Sequence, residues 1–207
     1  MKIISHRGYW KTPAEKNTAK AFSKSFSMNF GVETDVRDFC GQLVISHDPP
    51  KGGELFFSEF LEMASTYGNN LPIAINVKAD GLANLISKDL EKYNFLNIFV
   101  FDMSVPDMRG YISKSLPIFT RISEVERQPA WAHHAKGIWL DSFEGEWYGS
   151  DQIMEIMNEG KQLCVVSSEL HGRDYRKAWD KLHPFAHQEN LMLCTDFPEE
   201  ASIFFGE

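Results

Sequence analysis

Short apolar runs recur along the whole chain and alternate with longer segments of mixed character. In order the runs are "KIIS", "FGVETDV" with "LVIS", "LPIAINV", "NIFVF", "LPIFT", "GIWL", "QLCVV" and "LMLCT". With "GVETDV" and "LVIS" taken as one bent or doubled strand, they number eight. The segments between them carry helical spacing. In "TAKAFSKSFSMNF", Ala21, Phe22, Phe26 and Phe30 recur three to four apart. "SEFLEMASTYG" offers Ser58 as N-cap and Gly68 as terminator, and "SDQIMEIMNEG" runs from Ser150 to Gly160. "LANLISKDLEKY" and "RDYRKAWDKLH" are amphipathic, and "PEEASIFFGE" places Pro198 in a first helical turn.

Near-continuous apolar strands alternating with helices predict a parallel sheet covered on both faces. Eight such units favour a (β/α)8 TIM barrel, with an open doubly wound sheet as the alternative. The barrel usually needs about 250 residues, so 207 predict a compact version with trimmed loops. No glycine-rich phosphate loop follows the first run, which disfavours the doubly wound sheet. There is no internal repeat or linker, so residues 1–207 read as one domain.

Composition narrows the function classes. Hydrophobic content is 43%, charged content 24% and net charge −8. An acidic chain without clustered Lys and Arg argues against nucleic acid, because such binding draws on counterion release. An anionic small molecule stays compatible, since a local positive site can sit on an acidic protein. No run reaches the roughly 18 residues of a membrane span, and "MKIISHRG" does not resemble a signal peptide. A cytoplasmic protein without membrane insertion is the expectation. Cys40, Cys164 and Cys194 show no CxxC spacing and read as reduced thiols.

In this fold, chemistry sits at the C-terminal strand ends. The runs end in His6 and Arg7; Glu33 and Asp35, then His47 and Asp48; Asn76 and Lys78; Asp102; Arg121; Asp141; Ser167 and Glu169; and Asp196. Polar strand ends are common, but Glu33 and Asp35 lie inside a strand-like run. Two apart, they share one face of the strand. Two carboxylates aimed together repel and are costly to bury. One resolution is a divalent cation, Mg2+ or Ca2+, which favours oxygen ligands. The other is pairing with Arg7, Lys78 or Arg121 and no metal. His6 and His47 are the acid–base candidates, because imidazole titrates near neutral pH. Arg7 suits a phosphate, since its planar fork binds two oxygens, and it also suits neutralising Glu33 or Asp35.

Taken together, "HRG", "PAEKNTAKAF", "GVETDV", "LVISHD" and the late "CTDFPEEA" resemble the glycerophosphodiester phosphodiesterases, and more distantly the phosphatidylinositol phospholipases C. The resemblance implies a TIM-barrel hydrolase of small phosphodiesters, of the kind met in lipid metabolism. His6 and His47 would be general acid and base, Glu33 and Asp35 metal ligands, and Arg7 the phosphate holder, with Lys78 beside it.

The chain departs from that pattern at three places. "INVK" puts Asn76 where the family carries a glutamate ligand, which predicts a less charged, weaker metal site. An inactive barrel that binds a phosphate-containing ligand is therefore the alternative. "PAEKNT" carries an extra residue, with Asn17 and Thr18 expected to cap the first helix and support His6. The segment after His47 is short, which predicts an open site. His171 is a candidate for the pocket rim.

Overall fold

The computed structural model of the chain describes residues 1–206. Among them nine strands and seven α-helices alternate. The strands are β1 (Lys2–His6), β2 (Gly31–Phe39), β3 (Gln42–Ile45), β4 (Ile73–Val77), β5 (Ile98–Phe101), β6 (Phe119–Ile122), β7 (Gly137–Leu140), β8 (Gln162–Val166) and β9 (Leu191–Thr195). The helices are α1 (Ala19–Ser27), α2 (Phe57–Ser65), α3 (Ala83–Leu90), α4 (Met108–Ser113), α5 (Ser150–Asn158), α6 (Arg176–Leu182) and α7 (Pro198–Phe205). No helix among the described residues is long and apolar enough to cross a membrane.

Eight strands lie in the order β5-β4-β2-β1-β9-β8-β7-β6, all parallel. The β5 and β6 edges meet through one parallel bridge, Val100 to Ile118, which brings the sheet close to a complete barrel. The expected TIM-barrel architecture is therefore present. The doubled second strand is a hairpin: β3 runs back antiparallel along the end of β2, with Val36 opposite Ile45. The β6–β7 connection holds only a short 3-10 turn, Ala132–His134, instead of a helix. That economy is one way the barrel fits 207 residues.

Side-chain alternation divides the core into layers. Ile4, Ala74, Phe99, Phe119, Trp139, Cys164 and Cys194 fill the barrel interior. Val32, Val36, Ile73 and Ile75 point outward and pack on Phe22, Phe26, Phe57 and Phe60 of α1 and α2. On the other side Ile138, Leu163 and Leu193 pack on Ile153, Trp179 and Phe205 of α5, α6 and α7. The outward stripes of the strands thus meet the apolar faces that the helical spacing requires. Cys164 and Cys194 are buried, and burial pushes both thiols well up, which makes them inert. Cys40 is exposed and free, like the other two.

One helix start differs from the expectation. Ser58 is not the N-cap of α2; the helix begins at Phe57, with Phe56 as cap. The Glu59 carboxylate accepts the Phe56 backbone N–H at 3.0 Å, so a glutamate within the first turn satisfies an orphan donor that Ser58 does not.

Gly31 opens β2 against Pro72, which leads into the parallel neighbour β4. A Cβ there would lie 2.4 Å from the Pro72 carbonyl oxygen, which accepts the Val32 N–H at 3.0 Å. Gly31→Ala is expected to part β2 from β4 and cost about 1–3 kcal/mol. Urea unfolding measures this; an unchanged midpoint would show that the strands yield freely.

Candidate active site

On five barrel strands the inner face carries an apolar residue low in the barrel and a chemically active one at or just past the C-terminal end. Ile4 is followed by His6, Ala74 by Asn76 and Lys78, Phe119 by Arg121, Trp139 by Asp141, and Cys194 by Asp196. Those five ends, with Glu33 and Asp35 on β2, surround the mouth of the barrel. A cleft of about 300 Å³ there is lined by His6, Arg7, Glu33, His47, Asn76, Lys78, Arg121, Asp141 and His171, among others. A second, wider bay of about 680 Å³ opens between Lys16, Asn17 and the short segment after β3. The two bays share Arg7 and His47.

The "HRG" turn is built by backbone geometry. Arg7 has φ 57° and Gly8 φ 81°, both left-handed. A Cβ on Gly8 would lie 2.8 Å from the Ala21 side chain of α1, so this position requires glycine. A non-glycine residue in the left-handed region costs free energy that surrounding bonds must offset. Here the Arg7 N–H donates to Glu33 Oε2 at 3.2 Å, and the Arg7 carbonyl accepts the Asn17 N–H at 2.9 Å. Asn17 and Asp102 are also left-handed, at φ 58° and 69°. Three of the seven left-handed non-glycine residues among the described residues thus line the two bays.

His6 Nδ1 pairs with Asp196 Oδ1 at 2.7 Å, and its Nε2 lies 3.9 Å from Glu33 Oε2. Asp196 is itself anchored, because its N–H donates to Glu169 Oε1 at 3.0 Å. Glu169 therefore positions the partner of His6 and stands behind the cleft. His47 is the more exposed imidazole, with Nδ1 2.8 Å from Asp48 Oδ1 and its carbonyl accepting Arg37 Nε at 2.9 Å.

Asp35 is fully buried and takes three partners: Arg7 Nε at 2.9 Å, Lys78 Nζ at 3.4 Å and the Asn17 amide at 2.8 Å. Both cations thus sit on Asp35. Among the described residues Glu33 has the Arg7 N–H and the more distant His6 ring. Burial, then the Asp35 charge, push the Glu33 carboxyl above the usual range, against the opposing pull of His6, Arg7 and Lys78. A raised carboxyl pKa means that ionised Glu33 costs stability at neutral pH. That cost is relieved as pH falls through the raised pKa, or when a cation binds.

The donor set fits a hard divalent ion. Glu33, Asp35 and Asn76 offer oxygens on one face of neighbouring strands, with Asp35 and Asn76 in register. Asn76 Oδ1 is buried and accepts no hydrogen bond from the described residues, an orphan a cation would satisfy. No cluster of three or more His, Cys, Asp or Glu side chains arranged for a metal occurs among the described residues. Two carboxylates and one amide are what the sequence leaves.

On the far wall, Arg121 bonds Asp102 at 2.7 Å and Glu126 at 3.1 Å. Burial opposes its charge, but Asp102, Glu126 and Asp141 outweigh it and raise its pKa. Lys78 also approaches Asp102, at 3.8 Å.

Sequence reasoning misplaced one role and missed another. Asn17 does not cap α1 or support His6; Thr18 is the cap, accepting from Ala21 N at 3.3 Å. Asn17 instead holds Asp35 and accepts the Thr34 hydroxyl at 2.9 Å. Asp196 was visible only as a strand-end acid, in "CTDFPEEA". Its pairing with His6 depends on β1 and β9 being neighbours.

No protein-family model matches the chain, and no curated protein matches it. Solved structures do. A Galdieria sulphuraria protein assigned as a glycerophosphodiester phosphodiesterase matches with TM-score 0.77 and 16% identity, over 100% of this chain and 98% of its own. The glycerophosphodiester phosphodiesterase of Agrobacterium tumefaciens matches with TM-score 0.73 and 18% identity, over 100% and 99%. An Oleispira antarctica phosphodiesterase, solved with the product sn-glycerol-3-phosphate, matches with TM-score 0.71 and 13% identity, over 100% and 97%. From its first strand to its last helix, the chain has the fold of the glycerophosphodiester phosphodiesterases.

Proposed function

We propose that the chain hydrolyses a small phosphodiester of the glycerophosphodiester type at this cleft. The observation that carries the reading is the meeting of two bays at Arg7 and His47, beside His6 and Lys78. A diester has two arms and one phosphate between them. A phosphate bound at the seam would meet a cationic fork and an imidazole, with room for an arm on either side. The likeness in fold to phosphodiesterases supports the same reading.

Cleavage needs an in-line attacker, a proton acceptor, a proton donor and positive charge on the phosphate oxygens. A water oxygen bonds to phosphorus and the bond to one ester oxygen breaks. One imidazole of the His6 and His47 pair takes the water proton, and the other protonates the departing alkoxide. The products are a phosphomonoester and an alcohol. Asp196 and Asp48 orient the two rings through Nδ1, which leaves each Nε2 for the proton transfer. Arg7 and Lys78 supply positive charge. Glu33, Asp35 and Asn76 would hold a Mg2+ or Ca2+ ion, which contributes Lewis acidity when bound.

Hydrolysis of bis(p-nitrophenyl) phosphate with added Mg2+, Ca2+ or Mn2+ tests the activity. No turnover with any of these, nor on natural glycerophosphodiesters, would favour a barrel that binds a phosphate ligand without cleaving it. The uncharged Asn76 and the engagement of Asp35 by two cations are the features that favour this second reading.

The metal assignment has its own test. Asn76→Glu adds a third carboxylate, and divalent-ion affinity rises with ligand charge. Isothermal titration of Mg2+ or Ca2+ is expected to show binding tighter by about tenfold or more. Unchanged or weaker affinity would place Asn76 outside the coordination shell.

A further inference from the structure

Four contacts close a ring around His6. Its Nδ1 atom lies 2.7 Å from Asp196 Oδ1. Asp196 Oδ2 lies 3.8 Å from the Lys16 ammonium. That ammonium stands over the Trp10 ring, 4.2 Å from its centroid. The Trp10 indole N–H donates to the His6 carbonyl at 3.0 Å, which returns to the start. His6 is thus held at its ring by Asp196 and at its main chain by Trp10, and Lys16 meets both holders. Lys16 follows the 3-10 turn Pro13–Glu15 between β1 and α1, and it lines the wider bay. Neighbouring cations of that connection are committed elsewhere, Lys11 to Glu199 and Lys20 to Glu15.

We infer that Lys16, seated on Trp10, is a positioning residue for His6: it holds the second oxygen of Asp196 so that the first stays aligned with the imidazole. This rests on the phosphodiester reading of the cleft, in which His6 transfers a proton. The torsion that turns a carboxylate about its last bond is soft. A carboxylate held at one oxygen can turn; held at both, its plane is fixed. The hydrogen bond at one ring nitrogen sets which nitrogen carries the proton. An aligned Asp196 therefore keeps that proton on Nδ1 and leaves Nε2 on the side of Glu33 and the cleft. Glu169 does not supply this alignment, because it accepts the Asp196 main-chain N–H and leaves the carboxylate free to turn. A solvent-exposed ion pair would contribute little. Here the Lys16 and Asp196 side chains are 24% and 13% exposed, and the indole face covers the ammonium.

Lys16→Met keeps an apolar stem on Trp10 and removes the charge. It is expected to lower kcat on a phosphodiester by about tenfold with KM within about twofold, because the group acts on alignment and not on binding. Lys16→Arg, which can still stack on the indole and pair with the carboxylate, should keep kcat within about threefold of the unmodified protein. In an Asp196→Ala background, Lys16→Met should change kcat by less than about twofold, since the group it acts through is gone. A full loss in that background would overturn the inference, as would an unchanged kcat or a raised KM alone in the single variant. A ligand-free measurement separates this from the hydrolytic reading. In protein carrying isotope-labelled histidine, nitrogen NMR at about pH 9, where imidazole is neutral, is expected to show His6 protonated at Nδ1, and Lys16→Met to show averaging between the two tautomers. If no diester is cleaved while His6 responds in this way, the hydrolytic reading falls and the positioning of His6 by Lys16 stands. If turnover is normal and neither kcat nor the His6 signals respond, only the positioning role falls.

Discussion

Replacing His6 by alanine is expected to lower kcat on a phosphodiester by about 10²–10⁴-fold, the usual share of one acid–base group. The ring lies between Asp196 and Glu33, so it is held in place and close to the candidate cation site. His47→Ala should fall within the same range for the complementary proton transfer. The two variants should differ in stability. His47 is 46% exposed on its side chain, so its removal should leave the unfolding free energy within about 0.5 kcal/mol. His6 is more enclosed, at 15%, and its loss leaves two carboxylates facing each other. Steady-state kinetics with matched unfolding curves checks both. Normal turnover in either variant would remove that imidazole from the chemistry. Because the two act in one step, the double variant should lose much less than the product of the single losses.

The second large effect falls on stability. Asp35 is the common partner of Arg7, Lys78 and Asn17 at a fully buried position. Asp35→Ala strands one partly buried cation and an amide, and breaking such a buried pair costs about 3–5 kcal/mol. The lower end is expected, since Lys78 keeps Asp102 at 3.8 Å. Urea unfolding in the presence of a chelator measures it. The sign is informative. If Asp35 served only a metal, its removal from the metal-free protein would relieve repulsion with Glu33 and raise stability. If Arg7 and Lys78 neutralise it, stability falls. Loss of stability without metal, together with loss of metal affinity, would show that Asp35 serves both roles in turn.

The sequence was informative wherever a function depends on local period. Residues two apart on one strand share a face, so Glu33 with Asp35, and Asn76 with Lys78, could be placed together from the chain alone. The left-handed Arg7 was not legible, because arginine carries no preference for that conformation. Contacts between distant segments were not legible. His6 meets Asp196 across 190 positions, and Asp141 meets His171 across 30. Asn17 read as a helix cap because its neighbours made a good helix start. In the folded chain Thr18 meets that need, and the left-handed turn at Asn17 swings its amide onto Asp35.

The sequence by itself determined the alternation of strands and helices, the barrel class, and which residues end each strand. Those follow from side-chain periodicity, which is a property of neighbours in the chain. Only the tertiary structure decided the order of strands around the barrel, and with it which acid meets which base. Parallel pairing brought β1 beside both β2 and β9, setting His6 between Glu33 and Asp196. It also set both Arg7 and Lys78 against Asp35, while Glu33 meets the Arg7 N–H and the His6 ring. Charges separated by tens of residues interact only after the backbone closes the distance, so their pairing is written in the packing of the strands.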